Sequence, residues 1–389
     1  MSEALAEISA RFEEFAAIRR DIHAHPELGL VEHRTSALVA ERLEAWGIEV
    51  HRGVGGTGVV GVLRSGNGEG SVGLRADMDA LPIFEASGAA WSSQTPGLMH
   101  ACGHDGHTTM LLAAARQLAE TRRFNGTVNF IFQPGEEGCG GALAMLNDGL
   151  FDRFPCDAIY GLHNQPGLDV GRYRMTPGPA MAGGGFFDAT LTGVGAHAAR
   201  PEAGVDPVVA VCQLVTALQT IVSRTISPSN PVVFSVTKIS GGEAHNVIPQ
   251  TASFGGTFRA MNWATLDLVR ERLEHMTQAL AAGFGTTAEI TFGEMFAPMI
   301  NNPERTAFAA DTARAIVGAE AVEGSAPFVL GSEDFAFMLE KVPGAFVRVG
   351  NGATAGLHHP AYDFNDATIP YGAALLVELT ERTLIRAVC

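Results

Sequence analysis

The chain of 389 residues carries 26 Lys and Arg against 42 Asp and Glu, a net charge of −16, with 46% hydrophobic and 17% charged residues. Such an acidic balance disfavours nonspecific binding to nucleic acid or anionic membrane and is that of a globular chain rather than a disordered one. The length exceeds what one hydrophobic core usually organises, so two domains are expected. Five cysteines (102, 139, 156, 212 and 389), odd in number and widely spaced, do not read as a disulfide framework, and most are expected to be buried thiols. The N-terminal stretch is acidic and amphipathic without an apolar leader, and no later run approaches ~18 apolar residues, which leads us to expect a soluble cytoplasmic protein.

Apolar side chains recur at Leu5, Ile8, Phe12, Phe15, Ile18 and Ile22, the period of one helix over 5–22, with Pro26 ending the helical region. A second amphipathic helix is expected over 31–46, stopped by Gly47. Apolar runs at 59–63, 72–74, 128–132 and 158–162 read as strands, alternating with helices at 107–119 and 141–146. Their nearly continuous hydrophobicity indicates an α/β layer with a mostly parallel central sheet and helices on both faces. Asp77, Glu136, Glu137 and His163 follow the C-terminal ends of three of these strands, the rim along which open α/β sheets bind ligands. Pro177-Gly-Pro179 and the glycine run 183–185 suggest a hinge. Beyond it the order is strand 186–191, helix 206–221, strands 232–239 and 251–258, helix 265–281 and strand 288–292, which is that of a ferredoxin-like α+β unit. We therefore expect a discontinuous first domain, 1–181 with 293–389, and an inserted second domain, 182–292. Helices at 305–317 and 373–385 complete the first.

The densest chemistry lies in Met99-His-Ala-Cys102-Gly-His104-Asp-Gly-His107-Thr108, with three histidines in eight positions where bulk composition would place ~0.3. Thiolate and imidazole are favoured ligands of zinc-like cations, and Cys102-Gly-His104 can aim both from one turn, although a polar helix-capping loop would collect similar residues. The adjacent Glu136 and Glu137 can divide labour, one binding a cation while the other accepts a proton from water, or can form no more than a solvated acidic turn. His163, emerging from a strand, and His358, in Leu357-His-His-Pro360, are each ambiguous between a ligand and a satisfied core histidine. Specificity comes from the joint pattern.

That pattern runs in order through Arg75-Ala-Asp77-Met-Asp79-Ala-Leu-Pro82, the Cys102 and His104 motif, Gln133-Pro-Gly-Glu136-Glu137, Gly161-Leu-His163, Gly195-Ala-His197-Ala-Ala-Arg-Pro201, Ala244-His-Asn246-Val-Ile-Pro249 and Leu357-His358-His-Pro360. It resembles the M20 metallopeptidase family, and within it the aminoacylase and hippurate hydrolase branch, which also includes indole acetic acid-amino acid hydrolases. The resemblance implies a site for two divalent metal ions (Zn, Mn, Co or Ni) with Cys102, His104, Glu137, His163 and His358 as ligands. It further implies Glu136 as general base and Asp77 as the residue orienting a metal-bound histidine. Much of the family carries His-x-Asp where this chain has Arg75-Ala-Asp77, so one ligand is absent and Cys102 takes over part of the coordination. Which residue bridges the metals stays open, and His100, His107 and His359 remain supporting candidates.

The expected activity is metal-dependent hydrolysis of N-acyl amino acids, with a dipeptidase or carboxypeptidase using the same site as the alternative. A purely structural metal site is the non-enzymatic alternative. Ligands scattered over five loops, beside a spare carboxylate at Glu136, speak against it. In the inserted domain, His197 and Asn246 are candidates to donate to an oxyanion, and Arg259 to pair a substrate carboxylate that an acidic protein must meet with a local cation. The resemblance adds that this domain forms a lid and dimer interface that presents His197 to the partner's metals, in a homodimer or dimer-based tetramer.

Overall fold

The structure, a computed structural model, describes residues 2–385. Two compact units emerge: the first runs to Gly178 and resumes over Ile300–Pro327 and from Asp334 onward, and the second comprises Pro179–Met299 with Phe328–Glu333. In chain order the first unit contributes α1 (Glu3–Ser9), α2 (Phe12–Ala24), α3 (His33–Ala45), β1 (Glu49–Val54), β2 (Gly58–Ser65), β3 (Ser71–Asp77), α4 (His104–Thr121), β4 (Gly126–Gln133), α5 (Gly141–Asn147), β5 (Ala158–Gln165) and the short β6 (Tyr173–Arg174). The second contributes β7 (Gly183–Thr192), β8 (Ala196–His197), α6 (Pro207–Leu218), β9 (Val232–Gly241), β10 (Val247–Ile248), β11 (Thr251–Ala260), α7 (Trp263–Gly283) and β12 (Thr287–Phe292). The chain returns with α8 (Pro303–Val317), β13 (Val322–Glu323), β14 (Gly344–Gly350) and α9 (Ile369–Thr383).

The first unit is built on an eight-stranded mixed sheet in the order β1-β2-β4-β3-β5-β14-β6-β13. Its centre, β4-β3-β5-β14, is parallel, with antiparallel pairing at β1-β2, β2-β4 and β14-β6. Every residue of β3 is buried, as expected of a central parallel strand. Helix α4, the crossover from β3 to β4, is buried along most of its length. The register sets Asp77 opposite Gln133 and Arg75 opposite Gly161, so the C-terminal ends of β3, β4 and β5 lie side by side and the loops leaving them converge. The second unit holds an antiparallel four-stranded sheet, β9-β11-β7-β12, with α6 and α7 in the β-α-β-β-α-β order of a ferredoxin-like unit. Phe187, Leu191, Leu214, Phe254, Phe258 and Leu273 are among its buried core.

Three sequence expectations change. The helix expected over 5–22 is two helices, α1 and α2, broken at Ala10 and Arg11. Leu5, Ile8, Phe15, Ile18 and Ile22 all remain buried, so a two-residue break leaves the apolar period in phase and periodicity cannot see it. The run 183–185 is strand rather than hinge, pairing with Phe258, Arg259 and Ala260. Glycine is required there by space: a Cβ at Gly184 would fall 2.1 Å from the Phe258 carbonyl oxygen. The four described cysteines are free, but of these only Cys102 is buried. Cys139 lies on an exposed turn and Cys212 on the outward side of α6, while Cys389 lies outside the described residues. The helical stretch 207–225 is long and apolar enough by composition to cross a membrane, yet Ala210, Val211, Leu214, Leu218 and Ile221 point its apolar face into the core of the second unit.

Candidate metal centre

Cys102 and His104 are set by Gly103, whose left-handed backbone (φ 91°) turns the chain into α4. A side chain at Gly103 would also collide with Asn164 Oδ1 and the Tyr362 hydroxyl, at 2.5 and 2.6 Å, so only glycine satisfies both the turn and the close approach. His163, from the C-terminal half of β5, brings its Nε2 to 3.4 Å from Cys102 Sγ. Zinc–sulfur and zinc–nitrogen bonds of ~2.3 and ~2.0 Å at a tetrahedral angle separate their ligands by ~3.5 Å, the spacing seen here.

The tautomers point the same way. His163 Nδ1 donates to the Asn164 carbonyl at 2.7 Å, leaving the Nε2 lone pair facing Cys102. His104 Nδ1 donates to Asp79 Oδ1 at 3.1 Å, and its buried Nε2 has no hydrogen-bond partner among the described residues. A buried imidazole with one nitrogen on a carboxylate and the other unsatisfied is the arrangement of a metal ligand held in place from behind. His107 is occupied at both nitrogens, Nδ1 on Asp77 Oδ1 (2.6 Å) and Nε2 on Asn164, 2.7 Å from its Oδ1 and 3.0 Å from its backbone amide, which suits a supporting role. The ring of the exposed His359 accepts the Ala361 amide at Nδ1, and His100 is buried with neither ring nitrogen partnered among the described residues.

Glu136 and Glu137 ride on the turn 134–140, which bends through left-handed Gly135, Gly138 and Gly140. The turn is pinned by its backbone: the Gly135 amide donates to Glu32 Oε1 (2.8 Å) and the Glu137 amide to Asp79 Oδ2 (2.9 Å). Glu137 Oε1 lies 3.0 Å from His358 Nε2, and this contact with Glu137 raises the His358 pKa against partial burial. His358 itself has a left-handed backbone (φ 62°) and donates its amide to the Ala101 carbonyl, which anchors its loop to the Cys102 loop.

Donor atoms of Cys102, His104 and His163 lie within 4.8 Å of one another, as do those of Cys102, Glu137 and His358 and those of His104, Glu136 and Glu137. These sets overlap at Cys102, His104 and Glu137, a donor composition of thiolate, imidazole and carboxylate that fits two borderline divalent cations. Burial pushes the Cys102 thiol well up and the His163 imidazole well down. A thiolate in this setting therefore needs a cation beside it. Asp77 is held well below the carboxylate range: burial alone would raise it, and His104 and Arg75 overcome that.

The structure thus draws together Cys102, His104, Glu136, Glu137, His163 and His358, with Asp77 one step behind on His107 and 3.8 Å from His104 Nε2. His197, Asn246 and Arg259 belong to the second unit. There His197 is exposed on β8, paired with Val247 of β10, so Asn246 lies at its side, and the Ala198 amide donates to the Asn246 carbonyl. Arg259 sits half-buried between the rings of Phe186 and Phe296 and bonds Ser332. Among the described residues no carboxylate pairs with it, and burial lowers its pKa without compensation. Sequence reasoning passed over Asp79, which holds both His104 and Glu137. Its signal was the i, i+2 repeat of aspartates in Asp77-Met-Asp79.

The model of peptidase family M20/M25/M40 matches residues 73–382. A hippurate hydrolase from Campylobacter jejuni is 39% identical, over 95% of this chain and 97% of its own. An N-acetyl-L-cysteine deacetylase from Bacillus subtilis is 37% identical, over 97% and 90%. The crystal structure of a dinuclear metal binding peptidase from the M20 family, from Bacillus subtilis, superposes with a TM-score of 0.85 at 32% identity, over 97% and 99% of the two chains. With that match spanning most of the chain and those relatives nearly all of it, this protein belongs to peptidase family M20/M25/M40.

Proposed function

We propose that this protein is a metal-dependent amidohydrolase that cleaves N-acyl amino acids to a carboxylate and a free amino acid. The observation that carries the reading is the pair Glu136 and Glu137 on one pinned turn, with Glu137 among the donor atoms of Cys102 and His358 and Glu136 placed beside them. Cys102, His104, Glu137, His163 and His358 would hold two divalent cations, which when bound supply Lewis acidity toward a carbonyl and acidify water. Glu136, whose Oε1 accepts the Asp334 amide at 3.4 Å, takes the proton from water and returns it to the leaving amine. Asp79 holds His104 in the tautomer described above, and Asp77 orients the ring of His107. Arg259, a cation with no carboxylate partner among the described residues, pairs the substrate carboxylate, and His197 and Asn246 donate to the developing oxyanion.

Relatives named for hippurate, N-acetylcysteine and N-acetyldiaminopimelate hydrolysis support the substrate class. A panel of N-acyl amino acids and dipeptides, assayed with Zn, Mn, Co and Ni, tests it. Release of amino acid from hippurate or N-acetylmethionine is the expected result, and cleavage of dipeptides alone would overturn it. We place the enzyme in the cytoplasm as a homodimer or dimer-based tetramer, with His197 serving the partner's site. Unpaired thiols suit a reducing compartment, and His197 is exposed on its own unit. Mixing His197→Ala with Glu136→Gln subunits then restores activity, because one site in each mixed dimer carries neither lesion. No recovery after verified exchange would refute the shared site.

A further inference from the structure

We propose that Asp334 is the positioning residue that sets the aim of Glu136, by gripping both ends of the turn that carries it. The inference rests on the reading of Glu136 as the base. Asp334 is buried, and its carboxylate reaches three separate segments of the first unit. Oδ1 accepts from Gln133 Nε2 at 2.7 Å, on the last residue of β4, and from Arg75 Nη2 at 3.1 Å, on β3. Oδ2 accepts the Ala142 amide at 2.9 Å, in the first turn of α5. Gln133 and Ala142 flank the turn 134–140, so one carboxylate fixes where the turn leaves the sheet and where it re-enters a helix. The Asp334 backbone amide then donates to Glu136 Oε1, so the clamp and the proposed base are joined through one residue.

Arg75 completes the arrangement. Its guanidinium also donates to Gln133 Oε1 and Asp77 Oδ2, both at 2.8 Å, and lies 5.4 Å from the Phe335 ring centroid. A buried carboxylate between a guanidinium, an amide side chain and a backbone N–H is held to one rotamer, which is what a positioning role needs. A carboxylate oxygen of Asp334 comes within 4.8 Å of one of Glu136, but its oxygens accept from Gln133, Arg75 and Ala142, which makes the side chain a holder of the turn and its place a positioning one.

The test is Asp334→Asn in the full-length, metal-loaded protein, read by metal content, by the kcat and KM for hippurate, and again in a Glu136→Gln background. Asparagine keeps the shape and one acceptor but loses the charge that holds Arg75. Metal content stays at the wild-type level while kcat falls ~10–100-fold, the usual loss on removing a residue that supports an active group. KM stays within ~2-fold, because binding is not what the clamp sets. In Glu136→Gln the same change has no further effect on the residual rate, because the group being aimed is already gone, whereas a general structural lesion would multiply through. Should Asp334→Asn fail to fold, Gln133→Met removes one arm of the clamp while the buried Asp334 keeps its Arg75 partner, and a smaller loss confined to kcat is expected. Unchanged kcat in the folded variant, a parallel loss of metal, or a full further loss in the Glu136→Gln background overturns the proposal. The underlying reading has its own failure: wild-type turnover in Glu136→Gln alone removes the base, whatever Asp334 does.

Discussion

Replacing Asp79 by asparagine weakens two proposed ligands at one stroke. Oδ1 accepts His104 Nδ1–H at 3.1 Å and Oδ2 accepts the Glu137 amide at 2.9 Å, so each carboxylate oxygen has a donor. Asparagine offers one oxygen and one NH2 group, and whichever way it turns, one of those donors meets another donor. A buried donor left unsatisfied costs about 1–3 kcal/mol, and the loss of a charged partner removes basicity from the His104 ring. If that cost is expressed on metal binding, the affinity falls ~10–100-fold, or ~1.4–2.7 kcal/mol. Competition against a chromophoric chelator measures it directly, with thermal unfolding of the stripped proteins as the control for folding. Metal affinity equal to wild type in a folded Asp79→Asn protein refutes the claim that Asp79 supports the ligands from behind.

Cys102→Ser exchanges a thiolate for a hydroxyl that stays protonated and binds weakly, so metal content and turnover fall together; full stoichiometry with full turnover shows that Cys102 is no ligand. Glu137→Gln lowers metal occupancy, whereas Glu136→Gln keeps the metals and loses kcat by at least ~10²-fold, and equal occupancy in the two variants contradicts the division of labour. Arg259→Ala raises KM ~10–100-fold for an N-acyl amino acid, the worth of a charged hydrogen bond at ~1.5–3 kcal/mol, with kcat little changed; an unchanged KM removes Arg259 from carboxylate recognition. Stability carries a pH signature at His23, where burial would lower the pKa but Asp105, 2.8 Å away, prevails and holds it up to about 9 against an ordinary value of 6.5. The folded state binds this proton more tightly, so the contribution, at most ~3 kcal/mol, is full below pH 6.5 and is lost as pH rises through about 9. Denaturant unfolding of wild type and His23→Gln from pH 6 to 10 should show the gap between them closing, and a constant gap contradicts it.

The elements that hold the site were legible because their signals are local. The runs 72–74, 128–132 and 158–162 lie inside β3, β4 and β5, and the polar residues that follow them fall on the rim where three C-terminal ends meet. Cys102-Gly-His104 was legible for the same reason, since one glycine sets both side chains. What escaped is long-range. Asp334 holds Gln133 across 201 positions and Ala142 across 192, and nothing in its own neighbours announces either partner. Glu32 falls at the start of the helix expected over 31–46, yet its buried carboxylate accepts the Gly135 amide of the turn 134–140. The break at Ala10 and Arg11 was invisible because it preserves the apolar period, and the glycines at 183–185 were misread because close packing of backbones in a sheet and freedom in a hinge call for the same residue.

The central claim is that this chain hydrolyses amide bonds with cations held by Cys102, His104, Glu137, His163 and His358. Its most direct test is to strip the protein with chelator and titrate a divalent metal back while following both binding and release of amino acid from an N-acyl amino acid. The account predicts no turnover in the stripped protein and activity that rises with metal to a plateau at two equivalents per chain. Full turnover in the stripped protein, or a plateau of binding without any activity on the substrate panel, would contradict it.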